Sequence, residues 1–518
     1  METAPATLQE LPPELRAFVE GLLAEKDAMI AKLGADLEKL QHQFELMIKK
    51  MFGRSSEKLD PNQLLMDALM LQAQDSCAEA APELPSAQPA PSTAAPKVCK
   101  RNGRTPIPDH LKRNEIVIDV PESEKICPVT GKERPCIGEE VTEKYHYVRE
   151  TLEVNRYIRK KYGSPMGAEE NGVVTAPLPP SLLPRCMADA SMLAHIAVSK
   201  FDDHLPLHRN EKMFLRQGAQ ISRKTMADWM RNLADGLRPL EKRIAELILD
   251  CGVVHHDDTP VDRLDPGSGQ TKESRVWVAV SGQGPPLVHF SFTPNRKQAH
   301  VLSFFRGYGG AVMCDEYAGY ANVECGVMQS CWAHARRKIH DGCKSQPPYR
   351  ARVLLEIAAL YAIEERIRDA SPEERARVRD TESRAQLAKV FEAVESKTFT
   401  PGSQGGKAQN YILGHRKQLS AFVEDANLPI DNNAAERAIR RVAIGRKNWL
   451  FLGSETGGAT ATTLMSLLGS CWANRINPVA YLTDVIEVLP VTPAGQIDTL
   501  LPHLWIKSHP EASLPPIK

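Results

Sequence analysis

Net charge is the first thing this sequence lacks: 65 Lys and Arg are matched by 65 Asp and Glu across 518 residues. A uniformly basic coat, the simplest whole-chain signature of a nucleic-acid binder, is thereby excluded, although a sum hides local patches. Long apolar runs are also missing. Nothing approaches the roughly 18 uninterrupted apolar residues of a membrane span, and the opening METAPATLQELPPEL lacks the pattern of an export signal. A cytoplasmic protein is expected, with no membrane partner. No CxxC pair occurs, and the eleven cysteines are scattered and odd in number. They are read as reduced thiols rather than a disulfide framework. What remains is ordinary globular composition, 42% hydrophobic and 25% charged, in a chain long enough for about three to four units.

Periodicity divides the chain. Leu23, Ile30, Leu37, Phe44 and Met51 recur every seven residues, with Leu33, Leu40 and Met47 three positions on. This predicts a coiled-coil helix over 14–74 that joins copies of the chain; an amphipathic helix packed on its own domain remains the alternative. Residues 75–98, rich in Ala, Pro and Ser, cannot bury a core and are read as a disordered linker. A small basic β-rich module follows over 99–185, with the basic runs KRNGR at 100–104 and RYIRKKY at 156–162. Residues 186–250 have helical spacing. Ser222 is placed as an N-cap and Gly218 in a turn between two helices, an arrangement open to DNA binding.

From 251 the pattern changes. GVVHHDDTPV, RVWVAVSG and PLVHFSFTP read as strands, RKQAHVLSFFRGY as a helix, and AVMCDEY and GVMQSCWA as two further strands. That order predicts an α/β core over 251–470 with a mixed sheet, interrupted by a helical insertion at 345–428. A C-terminal helix and tail take 471–518. The fold class is multidomain α+β.

Three acids stand out by position. Asp257 is read at the end of the first core strand, Asp315 at the end of the fourth, and Glu436 on the helix that starts near Asp431. Converging carboxylates repel one another unless cations neutralise them, and two divalent ions do so in phosphoryl displacement; oxygen ligands suit Mg²⁺. Cations gather nearby. His334, Arg336, Arg337 and Lys338 follow the fifth strand, and Arg437, Arg440, Arg441, Arg446 and Lys447 follow Glu436. Such clusters suit a polyanion, since phosphate contacts supply most nucleic-acid affinity. Trp449 and Phe451 are read as core, with stacking on an unpaired base as the alternative. His255-His256-Asp257-Asp258 invites a zinc reading, but adjacent strand residues point to opposite faces, so no more than two of the four can share one ion, and no HExxH or CxxC supports it.

HHDDTPV, CDEYAGY, CWAHARRK and, above all, DNNAAERAIRRVAIGRKNWLFLGSETGG resemble the catalytic domain of insertion sequence 66 family transposases. FGRSSEKL, GRTPIPDHLKR and SKFDDHLPLHRNEKMFLRQG extend the resemblance toward the N-terminus, over about 20 to 490. It implies a ribonuclease H-like α/β core and an Asp-Asp-Glu triad of Asp257, Asp315 and Glu436 holding two Mg²⁺ or Mn²⁺ ions. It also implies cleavage at transposon ends and transfer of the freed 3′ hydroxyl into double-stranded target DNA, near the nucleoid and with accessory transposition proteins as further partners. Asp258 stands where similar chains usually have Glu. The zinc module of the family is degenerate here: Thr130 replaces the second Cys after Cys127, and Gly163 to Met166 carry none, so Cys136 leaves only two thiolates and no structural zinc is expected. A transposon-derived DNA-binding protein without activity and an unrelated metal-dependent nuclease are the alternatives.

Overall fold

The computed structural model describes residues 180–515 apart from 185, 266 and 316, together with Lys26, 152–155, 161–163 and 173–175. The predicted coiled coil over 14–74, the linker over 75–98, and Cys127, Thr130 and Cys136 of the basic module lie outside the described residues. Of that module, β1 (Lys161–Gly163) and β2 (Val173–Thr175) form an antiparallel pair. Among the described residues from 180 onward, His334–Ala426 forms one unit, here the first, and those up to Ala333 together with those from Asn427 form the second.

In the second unit, three helices precede the sheet: α1 (Ala190–Phe201), α2 (Leu207–Arg216) and α3 (Arg223–Leu249). Ser222 caps α3 by accepting from Thr225 N at 3.1 Å, which satisfies one of the amides a helix start leaves open. Met226, Met230, Leu233, Leu237, Leu240, Ile244 and Ile248 recur at three- and four-residue spacing and are all buried, giving α3 one continuous apolar stripe.

The sheet is built from β3 (Val253–Leu264), β4 (Thr271–Ser281), β5 (Val288–Thr293), β6 (Ala311–Cys314) and β7 (Val327–Ser330). Helix α4 (Gln298–Phe304) lies between β5 and β6 in the chain. Strand order is β5-β4-β3-β6-β7, the first three antiparallel and the last two parallel to β3. A two-residue strand, β8 (Phe451–Leu452), also pairs parallel with β3.

Helix α5 (Trp332–Gly342) leads from β7 into the first unit. There α6 (Pro347–Arg366), α7 (Pro372–Val378), α8 (Arg384–Glu395), α9 (Gln404–Gly414) and α10 (Arg416–Glu424) follow. Val353, Ile357, Leu360, Val390, Val394, Ile412 and Phe422 fill their core. The buried Arg379 guanidinium pairs with Glu364 at 2.6 Å and donates to the carbonyls of Phe422 and Asp425. A buried guanidinium is tolerated when each donor finds an acceptor in this way.

The chain returns to the second unit through α11 (Asn433–Trp449), α12 (Glu455–Ala473), α13 (Pro478–Val488) and α14 (Pro502–Ser508). Helix α12 covers the free edge of β5. Ser466 Oγ accepts from Phe290 N at 2.8 Å and Ser470 Oγ from Val288 N at 3.0 Å, so edge amides that no strand pairs still have acceptors. The sequence reading placed boundaries at 250 and 470, but packing runs across both. The buried faces of α3 and α12 share one apolar cluster with the sheet, and α12 itself passes through 470.

Candidate active site

The β3–β6 register brings two acids together. Val253 pairs with Ala311, Val254 with Val312 and His255 with Met313. Two residues further along these parallel strands stand Asp257 and Asp315, and the two-residue side-chain period puts both on one face. Carboxylate oxygens of Asp257, Asp258 and Asp315 lie within 4.8 Å of one another. One position needs correcting. Asp257 does not end its strand, because β3 continues to Leu264 in a hairpin pairing Val254–Leu264 with Thr271–Ser281. What stops at His255 is the pairing with β6, and Asp257 sits just past that point.

Glu436 is carried in by α11, and Asn432 fixes the start of that helix. Its side chain is fully buried; Oδ1 lies 3.0 Å from His255 Nδ1, and Nδ2 donates to His256 O at 3.0 Å. The turn of helix bearing Glu436 is thus held to the strand bearing Asp257. Burial first, and then Asp315, push the Asp257 carboxyl up to about 7, with Glu436 acting in the same direction. A site that disfavours its own ionised carboxylate is one that a bound cation would stabilise.

Asp258 plays a different part. Its side chain is 0% exposed, yet Arg296 donates to Oδ1 from Nε and Nη2 at 3.0 and 2.7 Å, and Arg275 Nη1 donates to Oδ2 at 3.1 Å. Burial raises its carboxyl, against the opposing pull of Arg296. With both oxygens engaged, Asp258 anchors two cations. Arg296 also reaches Asp315 Oδ2 at 3.5 Å and stacks 4.0 Å over the Tyr317 ring, whose hydroxyl donates to Arg296 O. Tyr317 N in turn donates to Asp315 Oδ1 at 3.0 Å. The sequence reading missed Arg275 and Arg296. The available signal was Asp258 itself, an acid on a strand face shared with the apolar core and needing a counter-charge.

The two histidines of the HHDD run pack apart from the acids. His255 Nδ1 is held by Asn432. His256 lies 2.7 Å from the Tyr320 hydroxyl and stacks on Trp277 and Phe304, and burial pulls its pKa to about 3.

The cations after Glu436 separate into two groups. Arg437, Arg440 and Lys447 are exposed. Arg441 instead pairs with Asp202 and stacks over Trp472, while Arg446 Nη1 donates to Thr259 Oγ1 at 2.9 Å and Pro260 O at 2.6 Å. These two arginines pack the helix onto its neighbours. His334, Arg336, Arg337 and Lys338 lie on α5 in the first unit, where Lys338 Nζ sits 4.5 Å over the Tyr411 ring. Trp449 is half-buried, closing over Gly445, where a Cβ would come within 2.6 Å of the indole nitrogen. Phe451 departs from the expectation of a core residue: it is 41% exposed, because its two-residue strand buries only Leu452.

A mixed α/β unit with hard oxygen donors gathered where its parallel strands part, one carboxyl awaiting a counter-cation, fits a divalent ion of the Mg²⁺ or Mn²⁺ kind. Among the described residues no helix is long and apolar enough to cross a membrane. The model of the transposase IS66 family matches residues 185–460, and the IS66 C-terminal element matches 466–503. A third model, transposase C of IS166 homeodomain, matches 39–116. Two similar chains are uncharacterized proteins of Sinorhizobium fredii. Protein y4jD is 33% identical over 421 residues, covering 77% of this chain and 81% of the relative. Protein y4qI is 34% identical over 413 residues, covering 76% of each. The chain belongs to the IS66 transposase family.

Proposed function

We propose that this chain is a DNA transposase that cleaves at transposon ends and transfers the freed 3′ hydroxyl into target DNA, with Asp257, Asp315 and Glu436 as its catalytic acids. The observation that carries this reading is the β3–β6 register, which sets Asp257 beside Asp315 while Asn432 holds α11 against the same strand. Strand order β5-β4-β3-β6-β7, antiparallel and then parallel, supports a ribonuclease H-like core.

The three acids would hold two Mg²⁺ or Mn²⁺ ions, which supply charge neutralisation and Lewis acidity for in-line displacement at phosphorus. The chain's own residues do the rest. Asp257, whose carboxyl burial and Asp315 raise to about 7 in the metal-free fold, would give up its proton on binding a cation. Arg296 and Arg275 pair with Asp258 and offset its buried charge, although Asp258 still adds to the repulsion on Asp257. Arg437, Arg440 and Lys447 hold the DNA backbone, and the basic turns of α5 offer a second contact through His334, Arg336, Arg337 and Lys338. Arg441 and Arg446 act by packing. Self-association through 14–74, a DNA role for the module over 99–185, and accessory transposition proteins complete the proposal.

The test is strand transfer on duplexes carrying the element's terminal repeats, with Mg²⁺ or Mn²⁺. Asp257→Ala, Asp315→Ala and Glu436→Ala should each abolish product while DNA binding persists. Product formation unaffected by all three would overturn the site; binding without cleavage by the unaltered chain would favour an inactive, transposon-derived DNA-binding protein.

A further inference from the structure

Helix α11 ends abnormally. Leu450, its C-terminal cap, has φ +66° and ψ −55°, a left-handed backbone conformation that a branched side chain rarely adopts. Leu450 is 64% exposed and Phe451 beside it 41% exposed. The tip is nonetheless fixed. Leu450 N donates to Arg446 O at 2.9 Å, and Phe451–Leu452 pair with Asp262–Arg263 of β3. Two apolar side chains are therefore held out in solvent by a strained backbone pinned on both sides.

We propose that Leu450 and Phe451 form a wedge that enters duplex DNA and unstacks a base step, the duplex being held by the exposed cations of α11. This rests on the DNA-processing reading above and adds where and how the duplex is deformed. Three observations favour DNA over a second copy of the chain. Arg437, Arg440 and Lys447 share the exposed side of α11 with Asn448 and Ile444, and that side carries no exposed acid. Glu455, just past the tip, is paired with Arg263 at 3.5 Å. Two side chains also fall far short of the roughly 800 Å² per partner that a stable protein interface buries, and apposed cationic faces would repel. Apolar wedges flanked by cations are how proteins kink duplexes.

Position follows from two paths. Along α11, Glu436 and Leu450 are about 20 Å apart at ~1.5 Å per residue. Along β3, Asp257 and Asp262 are about 17 Å apart at ~3.3 Å per residue. For a duplex lying along α11, both spans set the unstacked step no more than about five to six base pairs from the cleaved phosphate at ~3.4 Å per pair.

The test uses the full chain and a duplex of the inverted repeat flanking its own gene, with 2-aminopurine at successive positions. Binding should raise fluorescence several-fold at a step near that distance. The variant Leu450→Ser with Phe451→Ser should lose the rise yet keep affinity within about tenfold and the same salt slope. Leu450→Gly should melt no lower than the unaltered chain, since glycine accepts the positive φ, while the fluorescence rise weakens. The wedge is overturned if the double variant gives the same fluorescence, if the unaltered chain cleaves without unstacking any position, if Leu450→Gly melts lower, or if the double variant changes the oligomeric state. Unstacking without cleavage supports the wedge and counts only against the enzymatic reading.

Discussion

Arg296 donates from both Nε and Nη2 to a single oxygen of Asp258, at 3.0 and 2.7 Å. The same guanidinium lies against Tyr317 and within 3.5 Å of Asp315. Asp258 has no exposed side-chain surface, so it relies on Arg296 and Arg275 for its charge. Removing one partner of a buried pair leaves the other uncompensated, which costs roughly 3–5 kcal/mol. Arg296 is 34% exposed and Arg275 remains, so Arg296→Ala should lose less, about 2 kcal/mol by urea unfolding. Asp258→Asn should destabilise too, and the double variant should lose less than the sum. Strict additivity would mean that the two residues are not coupled.

Asp257 predicts the pH dependence. Its carboxyl lies at about 7 in the fold against an ordinary 3.8. Between those values the folded chain holds a proton that the unfolded chain releases, so stability falls as pH rises through this window and levels off above it. The full effect is up to about 4 kcal/mol. Thermal melting of metal-free protein should show this decline, Asp257→Asn should flatten it and melt higher at neutral pH, and added Mg²⁺ should restore the unaltered chain. An unchanged slope in Asp257→Asn would rule out Asp257 as its source.

Asn432 couples fold to site. Its amide links His255 and the His256 carbonyl to the start of α11, and it is fully buried. Asn432→Ala leaves a buried carbonyl without its donor, a loss of roughly 1–3 kcal/mol. Cleavage should fall further than that stability loss explains, because Glu436 loses its fixed approach to Asp257. Equal activity per folded molecule would show that the helix start does not position Glu436.

Much of this arrangement was readable from spacing. The short apolar runs around Val253, Val276 and Val288 predicted the strands, and Asp257, Asp315 and Glu436 stood out because each belonged to a separate element. The β3–β6 register was not readable, since pairing between distant strands leaves no local pattern. Arg275 and Arg296 were missed for the same reason: each meets Asp258 only through the sheet and the loop that leaves it. Arg446 is a different case. Nine positions on from Arg437, it falls about half a turn away at ~100° per residue, so its inward direction was legible in the spacing. Arg441, four positions on, lies on the side of Arg437 and meets Asp202 only through tertiary packing.

That separation yields opposite predictions for neighbouring arginines. Arg437, Arg440 and Lys447 face solvent. Replacing each with Ala should leave melting almost unchanged, weaken duplex binding across sequences, and reduce the salt slope by about one. Arg446 donates to Thr259 and Pro260, and Arg441 to Asp202. Their Ala variants should leave the salt slope alone and lower stability by about 1–3 kcal/mol, since the acceptors they abandon are shielded from water. Measuring affinity against salt and melting temperature for all five separates the two groups. A salt slope altered by Arg446→Ala, or untouched by Arg440→Ala, would mean that the DNA lies on a different face of α11.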